Sequence, residues 1–316
     1  LSATIVVLLY VGLVEKLRKY IIPTVAVVFV LTVTSWVLYK TPSGTMINAV
    51  IVAEKLTEKT DQIDSNHDII VFPEYGFTGS SSGADRLKIS NNKNTYYVGS
   101  KQTSAGVGHN NILVFGSAKN GDIEQRNKSR LIPGGEYLPY FVDVILNITG
   151  AQNTKEYFQI LNSVEKGPTN HQPLGADNRF FLGSSVCSSI IQTEDYRKFV
   201  QNGATILTNS ASLGIFASKL FTTQHRGLAK FMAVSNARPF LQSSNDSDAF
   251  ALDHNGRTIA TIQPINSREV KISTNTKRTP YSYLGEWPAF AGVVTIVILI
   301  LKKYKIREKL TKKPSK

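Results

Sequence analysis

Short apolar runs of strand length alternate with polar stretches of helical length through the middle of the chain, from about residue 45 to residue 275. The apolar runs are rich in β-branched residues, which is typical of β-strands. The predicted strands are residues 46–52, 68–72, 95–98, 111–115, 180–186, 204–207, 249–252 and 258–262. The predicted helices are residues 54–63, 194–201 and 221–237. Strands separated by helices predict an α/β domain.

Longer apolar runs lie outside this domain. Residues 20–39 contain no charged side chain, and about 20 such residues are what a helix needs to cross a hydrocarbon core of ~30 Å. Residues 287–301 are a second run, with Trp287 at one end and lysines at the other, as in membrane helices. Residues 1–14 are a third run that starts abruptly, so we expect further membrane helices upstream. The alternative for each run is a buried core helix.

The positive charge is concentrated beside the apolar runs. The chain has 36 Lys and Arg against 23 Asp and Glu, a net charge of +13. Residues 302–316 carry eight basic side chains against Glu308, and residues 15–19 carry three against Glu15. Basic segments beside membrane helices face the cytoplasm. This pattern predicts that the domain between the helices is extracytoplasmic. Because the folded domain has little basic excess, we expect no nucleic-acid partner.

These patterns predict four parts of the chain. Residues 1–39 form an N-terminal membrane segment with one partial and one full transmembrane helix. Residues 40–285 form the extracytoplasmic domain. Residues 286–301 are a C-terminal transmembrane helix, and residues 302–316 are a basic cytoplasmic tail.

The chain has one cysteine, Cys187, which excludes an intrachain disulfide and a cysteine-based zinc site. The histidines show no spacing typical of metal ligands, so we expect no metal and no cofactor. The histidines are His67, His109, His171, His225 and His254.

Three segments carry residue types suited to catalysis. Glu74 follows a predicted strand directly after Pro73, where we expect the carboxylate to surface at the edge at which α/β sheets bind ligands. Lys128 is followed eight positions later by Glu136. Cys187 closes the run FFLGSSV. Taken singly, these residues also fit a solvated carboxylate, a surface lysine and a small buried apolar group.

Taken together, the order Glu, Lys, Cys resembles the nitrilase (carbon-nitrogen hydrolase) superfamily, and more closely its membrane branch, the bacterial apolipoprotein N-acyltransferases. The matching stretches are DIIVFPEYGF, NKSRLIPGGEYLPY, FFLGSSVCSS, GATILTNSASLGIF, TTQHRGLAKFMAVSNARPF and TPYSYLGEWP. The resemblance covers about residues 20–301. It implies a nitrilase-type α-β-β-α sandwich domain of the α/β class, inserted between transmembrane helices.

The resemblance also implies a chemistry. Cys187 would be the nucleophile and would carry a fatty acyl chain as a thioester. Glu74 would be the general base, with a pKa raised by partial burial. Lys128 would stabilise the oxyanion, together with backbone N–H groups near Cys187 and Ser188, and would favour the thiolate. Glu136 would hold Lys128 or share the role of base.

The substrates and location follow from the same resemblance. The acyl donor would be a phospholipid, and the acceptor would be the α-amino group of the diacylglyceryl-cysteine of a lipoprotein. The protein would be a multi-pass monomer of the bacterial plasma (inner) membrane, with its catalytic domain on the extracytoplasmic side.

Two other functions stay open. The same three side chains would serve a membrane-anchored amide hydrolase that uses water as acceptor. A non-catalytic lipid- or lipoprotein-binding relative is the other, because Ser189, Ser210 and Ser235 stand where the family typically has acidic residues. A Cys–His pair of Cys187 with His225 is a competing nucleophile, but the position of His225 early in a helix favours a surface or capping role.

Overall fold

The computed structural model divides into two compact units, Pro42–Ser282 and a second unit made of Leu1–Thr41 with Tyr283–Lys316. The residues it describes are 26, 29–30, 33–34, 37–38, 41–53, 67–76, 95–105, 108–117, 123–161, 163–176, 178–214, 219–245, 247–264 and 266–311.

Strands and helices alternate along the larger unit. In chain order, the strands are β1 (Met46–Val52), β2 (Ile69–Val71), β3 (Tyr96–Ala105), β4 (Gly108–Ser117), β5 (Ile123–Asn127), β6 (Leu174–Ala176), β7 (Phe180–Val186), β8 (Ile206–Ala211), β9 (Phe240–Ser244), β10 (Ala249–Leu252), β11 (Thr258–Ile262) and β12 (Ser267–Ser273). Its helices are α1 (Tyr140–Thr149), α2 (Gln152–Leu161), α3 (Thr193–Gln201) and α4 (Lys219–Asn236), and Cys187–Ile191 forms a 3-10 helix. Along the chain, α5 (Pro280–Leu284) crosses the boundary between the two units, and α6 (Trp287–Thr311) belongs to the second unit.

Within the described residues, the strands of the larger unit form two mixed sheets of six strands each. One sheet has the order β12-β1-β2-β3-β4-β5 and the other β11-β10-β9-β8-β7-β6. Each has a parallel centre, β1-β2-β3 in one and β7-β8-β9 in the other, flanked by antiparallel strands. Parallel centres bring the carboxyl ends of strands from distant parts of the chain to one edge.

The main hydrophobic core lies between the two sheets. In β2, Ile69 and Val71 belong to this core, whereas Ile70 between them belongs to a separate cluster on the other face, as the period of two in a strand requires. Side chains of β7 and β8, among them Leu182 and Ile206, fill the same core from the second sheet. The sheets are therefore packed face to face.

Helices α3 and α4 cover the outer face of the second sheet. Phe199 of α3 and Met232 of α4 pack with Leu207 of β8 and Phe240 of β9 in one buried cluster. Gly183 of β7 allows this close packing, since a Cβ built there would lie 2.8 Å from Phe199 Cβ. Helices α3 and α4 therefore form a layer outside the second sheet, which packs on its other face against the first sheet.

The predicted strands 46–52, 180–186, 249–252 and 258–262 are confirmed with the same bounds. The predicted strand 204–207 is instead β8, which continues through the polar but fully buried residues Asn209 and Ser210. Strands β5, β6, β9 and β12 and helices α1 and α2 were not predicted, because their residues are largely polar or lack a clear period. The predicted helix 54–63 lies outside the described residues.

Helix α6 begins at Trp287 and runs past the apolar segment to Thr311. Across the part of the chain that the structure describes, no helix is both long enough and apolar enough to span a membrane. The apolar run 1–14 and most of the run 20–39 lie outside that part.

Candidate active site

The three predicted catalytic residues follow the ends of three strands. Glu74 comes shortly after β2, Lys128 directly after β5, and Cys187 directly after β7. The backbone N–H of Glu74 donates to the carbonyl of Ala211, at the end of β8, over 3.1 Å. A hydrogen bond therefore joins the carboxyl ends of the two sheets at the residue that carries the carboxylate.

Glu74 is buried, with 2% of its surface exposed, so the expectation that its carboxylate surfaces is wrong. The facing sheet encloses it, since the Asn245 side chain also donates to the Glu74 carbonyl. Burial raises the pKa of the Glu74 carboxyl above its usual range, although Lys128, Cys187 and Asn111 each act to lower it. A buried carboxylate with a raised pKa takes up a proton more readily than an ordinary glutamate, which suits a general base.

Lys128 lies between two carboxylates. Its Nζ is 2.6 Å from Oε1 of Glu136 and 3.6 Å from Oε1 of Glu74. Only 1% of its side chain is exposed, so a surface lysine is excluded at this position. Burial acts to lower the pKa of Lys128, but the negative charges of Glu74, Cys187 and Glu136 outweigh burial and raise it. The ammonium is therefore held charged inside the domain.

Glu136 is fixed by the main chain as well as by the lysine. Its Oε2 accepts a hydrogen bond from the backbone N–H of Ile132 over 2.9 Å. Both carboxylate oxygens of Glu136 are thus occupied, one by Lys128 and one by Ile132. This arrangement fits the holding role that the sequence suggested for Glu136.

Cys187 lies at the turn from β7 into the 3-10 helix, with a left-handed backbone φ of 48°. Its carbonyl accepts a hydrogen bond from Asn209 Nδ2 over 3.0 Å, which stabilises the turn. Burial and the negative charge of Glu74 raise the pKa of the thiol to about 12, and a hydrogen bond to Glu74 acts in the same direction. Lys128 and a backbone hydrogen bond from Ser212 act to lower it. Lys128 therefore acts toward the thiolate as expected, but burial and Glu74 outweigh it, and the thiol is placed to give its proton to Glu74.

The remaining residues named from the sequence lie at different distances from this centre. Ser188 is half-buried in the 3-10 helix next to Cys187. Ser189 Oγ donates to the Arg130 carbonyl over 3.4 Å. Ser210 is buried near the end of β8, and Ser235 is near the end of α4. Ser188, Ser189 and Ser210 therefore lie in segments that meet at the site.

His225 is buried on α4, so the surface role is wrong, and the capping role given as its alternative stays a prediction. Its ring packs against Phe221 with 5.0 Å between centroids. Burial lowers the pKa of His225 to about 4, against a hydrogen bond with Gln242. Among the described residues, no group of three His, Cys, Asp or Glu side chains is arranged to hold a metal ion.

Two residues that contact the triad were missed in the sequence. Asn111 Nδ2 donates to Oε1 of Glu74 over 2.6 Å. Tyr75 follows Glu74 with a left-handed φ of 59°, and burial and the charge of Glu74 raise the pKa of its hydroxyl. Nothing in the sequence distinguishes Asn111 from the adjacent Asn110, because its role arises from the pairing of β4 with β5.

Several bacterial proteins resemble this chain in sequence. No family model matches it. Proteins named apolipoprotein N-acyltransferase match it at 26% identity over 206 residues in Vibrio vulnificus and at 26% over 237 residues in Photobacterium profundum. These alignments cover 63% and 71% of this chain. The resemblance found in the sequence is confirmed. The chain spans 39% and 44% of the length of these two relatives.

Solved structures show the nitrilase-type fold. A carbon-nitrogen hydrolase from Helicobacter pylori G27 has a TM-score of 0.52 at 13% identity, covering 72% of this chain and 90% of its own. Nit3 of Saccharomyces cerevisiae, a member of branch 10 of the nitrilase superfamily, has a TM-score of 0.54 at 11% identity, covering 73% and 93%. The domain therefore has the α/β fold of the nitrilase superfamily.

Proposed function

We propose that this chain is a membrane acyltransferase that moves a fatty acyl chain from a phospholipid, through a thioester on Cys187, to the α-amino group of the diacylglyceryl-cysteine of apolipoproteins. The observation that carries the proposal is the buried ammonium of Lys128 between Glu74 and Glu136, with the Cys187 thiol hydrogen-bonded to Glu74. The names of the relatives support the acyl acceptor.

In the first half-reaction, Glu74 takes the thiol proton while the sulfur of Cys187 attacks the ester carbonyl of the phospholipid. Negative charge develops on the carbonyl oxygen, where the Lys128 ammonium and backbone N–H groups at Cys187 and Ser188 stabilise it. When the tetrahedral intermediate collapses, the C–O bond breaks and Glu74 returns its proton to the departing lysophospholipid oxygen. The acyl chain is left on Cys187 as a thioester.

In the second half-reaction, the amine of the acceptor attacks the thioester carbonyl and gives a proton to Glu74. The C–S bond then breaks, and the thiol of Cys187 recovers that proton. The raised pKa of Glu74 suits this return, because the carboxyl can both hold and release a proton near neutral pH. Two easier steps replace one difficult transfer.

The lysine needs a fixed position for this chemistry. Glu136 fixes the position of Lys128, because one carboxylate oxygen of Glu136 contacts Lys128 Nζ and the other accepts a hydrogen bond from the backbone N–H of Ile132. A preorganised cation does not reorient as charge develops on the substrate. We therefore assign Glu136 to holding Lys128 and Glu74 to proton transfer.

Helix α1 supports a lipid substrate. It begins four residues after Glu136, and none of its described side chains is buried. Its exposed apolar side chains include Tyr140 at 83%, Phe141 at 67% and Ile148 at 80%. Clustered exposed apolar residues mark binding or membrane surfaces, and such a helix beside the lysine segment suits fatty acyl chains.

The membrane part of the proposal is supported by the sequence pattern. Apolar runs at 1–14, 20–39 and 287–301 with basic segments at 15–19 and 302–316 favour a catalytic domain, 40–285, on the extracytoplasmic side of the bacterial inner membrane. Both substrates reach such a domain by diffusion in the bilayer. We propose that the protein acts there as a monomer.

An amide hydrolase with the same three side chains is the second candidate. Its support is that the buried Glu74–Lys128–Cys187 arrangement would serve equally with water as acceptor, and that an amidase from Nesterenkonia sp. AN1 shares the fold at a TM-score of 0.51 and 14% identity. The two candidates differ in the acyl donor, which loses an amine in the hydrolase and a lysophospholipid oxygen in the acyltransferase, and in the acceptor, which is water in the hydrolase and the lipopeptide amine in the acyltransferase.

Product analysis tests the proposal. The full chain in detergent is given phospholipid and a diacylated lipopeptide, and the products are separated by mass. We expect N-acyl lipopeptide from the native protein, none from Cys187→Ser, and about 10²–10³-fold slower formation by Lys128→Met, with Lys166→Met as a control because Lys166 is exposed. Free fatty acid in place of N-acyl peptide would favour the hydrolase. Full acylation by Cys187→Ser would refute both.

A further inference from the structure

We propose that Asn111 is a positioning residue that fixes the Glu74 carboxylate and the Lys128 segment relative to each other. The inference rests on the function proposed above, in which Glu74 is the base and Lys128 stabilises the oxyanion. Asn111 lies on β4 and is 1% exposed. Its side chain bonds one of these residues and its main chain bonds the other.

The side chain holds one oxygen of the base. Asn111 Nδ2 donates to Oε1 of Glu74 over 2.6 Å, and the same oxygen is 3.6 Å from Lys128 Nζ. This oxygen is held by one hydrogen bond from Asn111 and attracted by the Lys128 ammonium at ion-pair distance, and the carboxylate keeps its second oxygen for proton transfer. The Asn111 amide thus orients Glu74.

The main chain of Asn111 holds the lysine segment. The Lys128 N–H donates to the Asn111 carbonyl over 2.8 Å. This bond extends the pairing of β4 with β5, in which Ile112 lies opposite Asn127, by one step beyond the end of β5. Because Asn111 is one residue, displacing it moves Glu74 and Lys128 together.

The hydrogen bond also favours the ionised base. An amide N–H₂ can donate to a carboxylate but cannot accept a proton from a carboxylic acid at that nitrogen. The groups that face Glu74 are Lys128, Cys187, Asn111 and Glu136, and Tyr75 lies within reach of its charge. Of these, Asn111 and the Cys187 thiol lower the pKa of Glu74 through hydrogen bonds and without a charge of their own. Its loss should make Glu74 harder to ionise.

Alkylation of Cys187 tests this inference without any lipid substrate. The full chain in detergent reacts with iodoacetamide at a series of pH values, and the rate is followed by intact mass, since the chain has one cysteine. We expect an acidic limb in the rate profile that is lost in Glu74→Gln. In Asn111→Ala, the limb should move to higher pH by about 1 to 2 units, the effect of losing a hydrogen bond to a charged group.

A second variant and a control separate positioning from general damage. Asn111→Asp keeps the size of the side chain and faces Glu74 with a like charge, so its limb should also move to higher pH. Asn236→Ala removes a fully buried amide that bonds Met232 and Ser235, and its limb should stay where it is in the native protein.

The inference would be overturned if the acidic limb of both Asn111 variants lay at the same pH as that of the native protein. It would also be overturned if the acidic limb survived in Glu74→Gln. If Asn111→Ala does not fold, Asn111→Asp decides alone. The shift is independent of the acyl substrate. If the acidic limb moves in the Asn111 variants but the native protein transfers no acyl chain, the proposed function is refuted and the positioning role stands. If the limb does not move but the native protein is an active acyltransferase, the positioning role is refuted and the proposed function stands.

Discussion

The ammonium of Lys128 lies 2.6 Å from Oε1 of Glu136, and both side chains are buried. The backbone of Ile132 holds the other Glu136 oxygen, so the main chain fixes the glutamate and the glutamate fixes the lysine. This chain of contacts places a positive charge 3.6 Å from Glu74 in the interior of the domain.

Replacing the lysine should affect both stability and activity. Lys128→Met leaves the buried carboxyls of Glu74 and Glu136 without a cation, and breaking a buried pair costs about 3–5 kcal/mol. Loss of one oxyanion donor lowers kcat by about 10²–10³-fold. Urea denaturation and the lipopeptide assay measure the two effects. Native stability and rate in this variant would contradict the buried position of Lys128.

The glutamate that holds the lysine should matter less than the lysine itself. Glu136→Gln keeps an oxygen for the Lys128 contact but removes the charge, so we expect a smaller fall in kcat than in Lys128→Met, with KM little changed. Glu165→Gln is the matched control, because Glu165 is exposed. If Glu136→Gln abolished proton transfer as fully as Glu74→Gln, Glu136 would share the role of base.

His225 should make the stability of the domain depend on pH. Its folded pKa of about 4 lies below the ordinary histidine pKa of 6.5, so below pH 6.5 the unfolded chain binds a proton that the folded chain does not. Stability is therefore full above pH 6.5 and falls as the pH drops toward 4, by up to about 1.36 kcal/mol per pH unit from this group. Urea denaturation at pH 7 and pH 5 measures the fall, and His225→Leu should reduce it. An equal fall in the variant would assign it to other groups.

The carboxylate of Asp195 joins the segment that follows Lys128 to helix α3. Asp195 of α3 accepts hydrogen bonds from Arg130 over 2.8 and 2.9 Å, and His171 Nε2 lies 2.8 Å from it. Burial acts to raise the pKa of Asp195, but these contacts outweigh it and lower the pKa. Asp195→Asn should cost about 1–3 kcal/mol at pH 7. The cost should shrink as the pH falls below the usual Asp pKa, because the unfolded chain then binds a proton at Asp195 that the folded chain does not.

Two glycines give opposite predictions for the same substitution. Gly183→Ala on β7 brings a Cβ to 2.8 Å from Phe199 Cβ and 2.9 Å from Leu207 Cδ2, so we expect a loss of about 1–3 kcal/mol from overpacking. Gly227 is exposed on α4, and a Cβ added there would have no neighbour within 4 Å outside its own helix backbone. Gly227→Ala should therefore add about 0.5–1 kcal/mol through helix propensity. Thermal unfolding of the two variants measures both. A Gly183→Ala variant as stable as the native protein would contradict the packing at Gly183, and a destabilised Gly227→Ala would contradict the open position of Gly227.

Local pattern was enough to predict the α/β class and several strands of the domain. The apolar runs MINAVIV and FFLGSSV identify β1 and β7 as strands, because most of their residues are buried. Strands β8 and β9 were harder, since Asn209, Ser210 and Gln242 are polar yet fully buried. Their burial follows from the facing sheet, which no local window contains.

The site was predicted in its residues but not in its environment. Glu74, Lys128 and Cys187 were named from their order and from the resemblance, whereas the burial of Glu74 and the raised pKa of the thiol depend on how the two sheets meet. Asn111 was missed for the same reason. Its two hydrogen bonds join segments 37 and 17 residues away in the chain.

The thioester on Cys187 is the central claim, and intact mass of the full chain after incubation with phospholipid tests it most directly. We expect a fatty acyl increment that hydroxylamine removes, that is absent from Cys187→Ser, and that passes to the amine when a diacylated lipopeptide is added. A folded native protein that gains no increment, or an increment that persists in Cys187→Ser, would contradict the account.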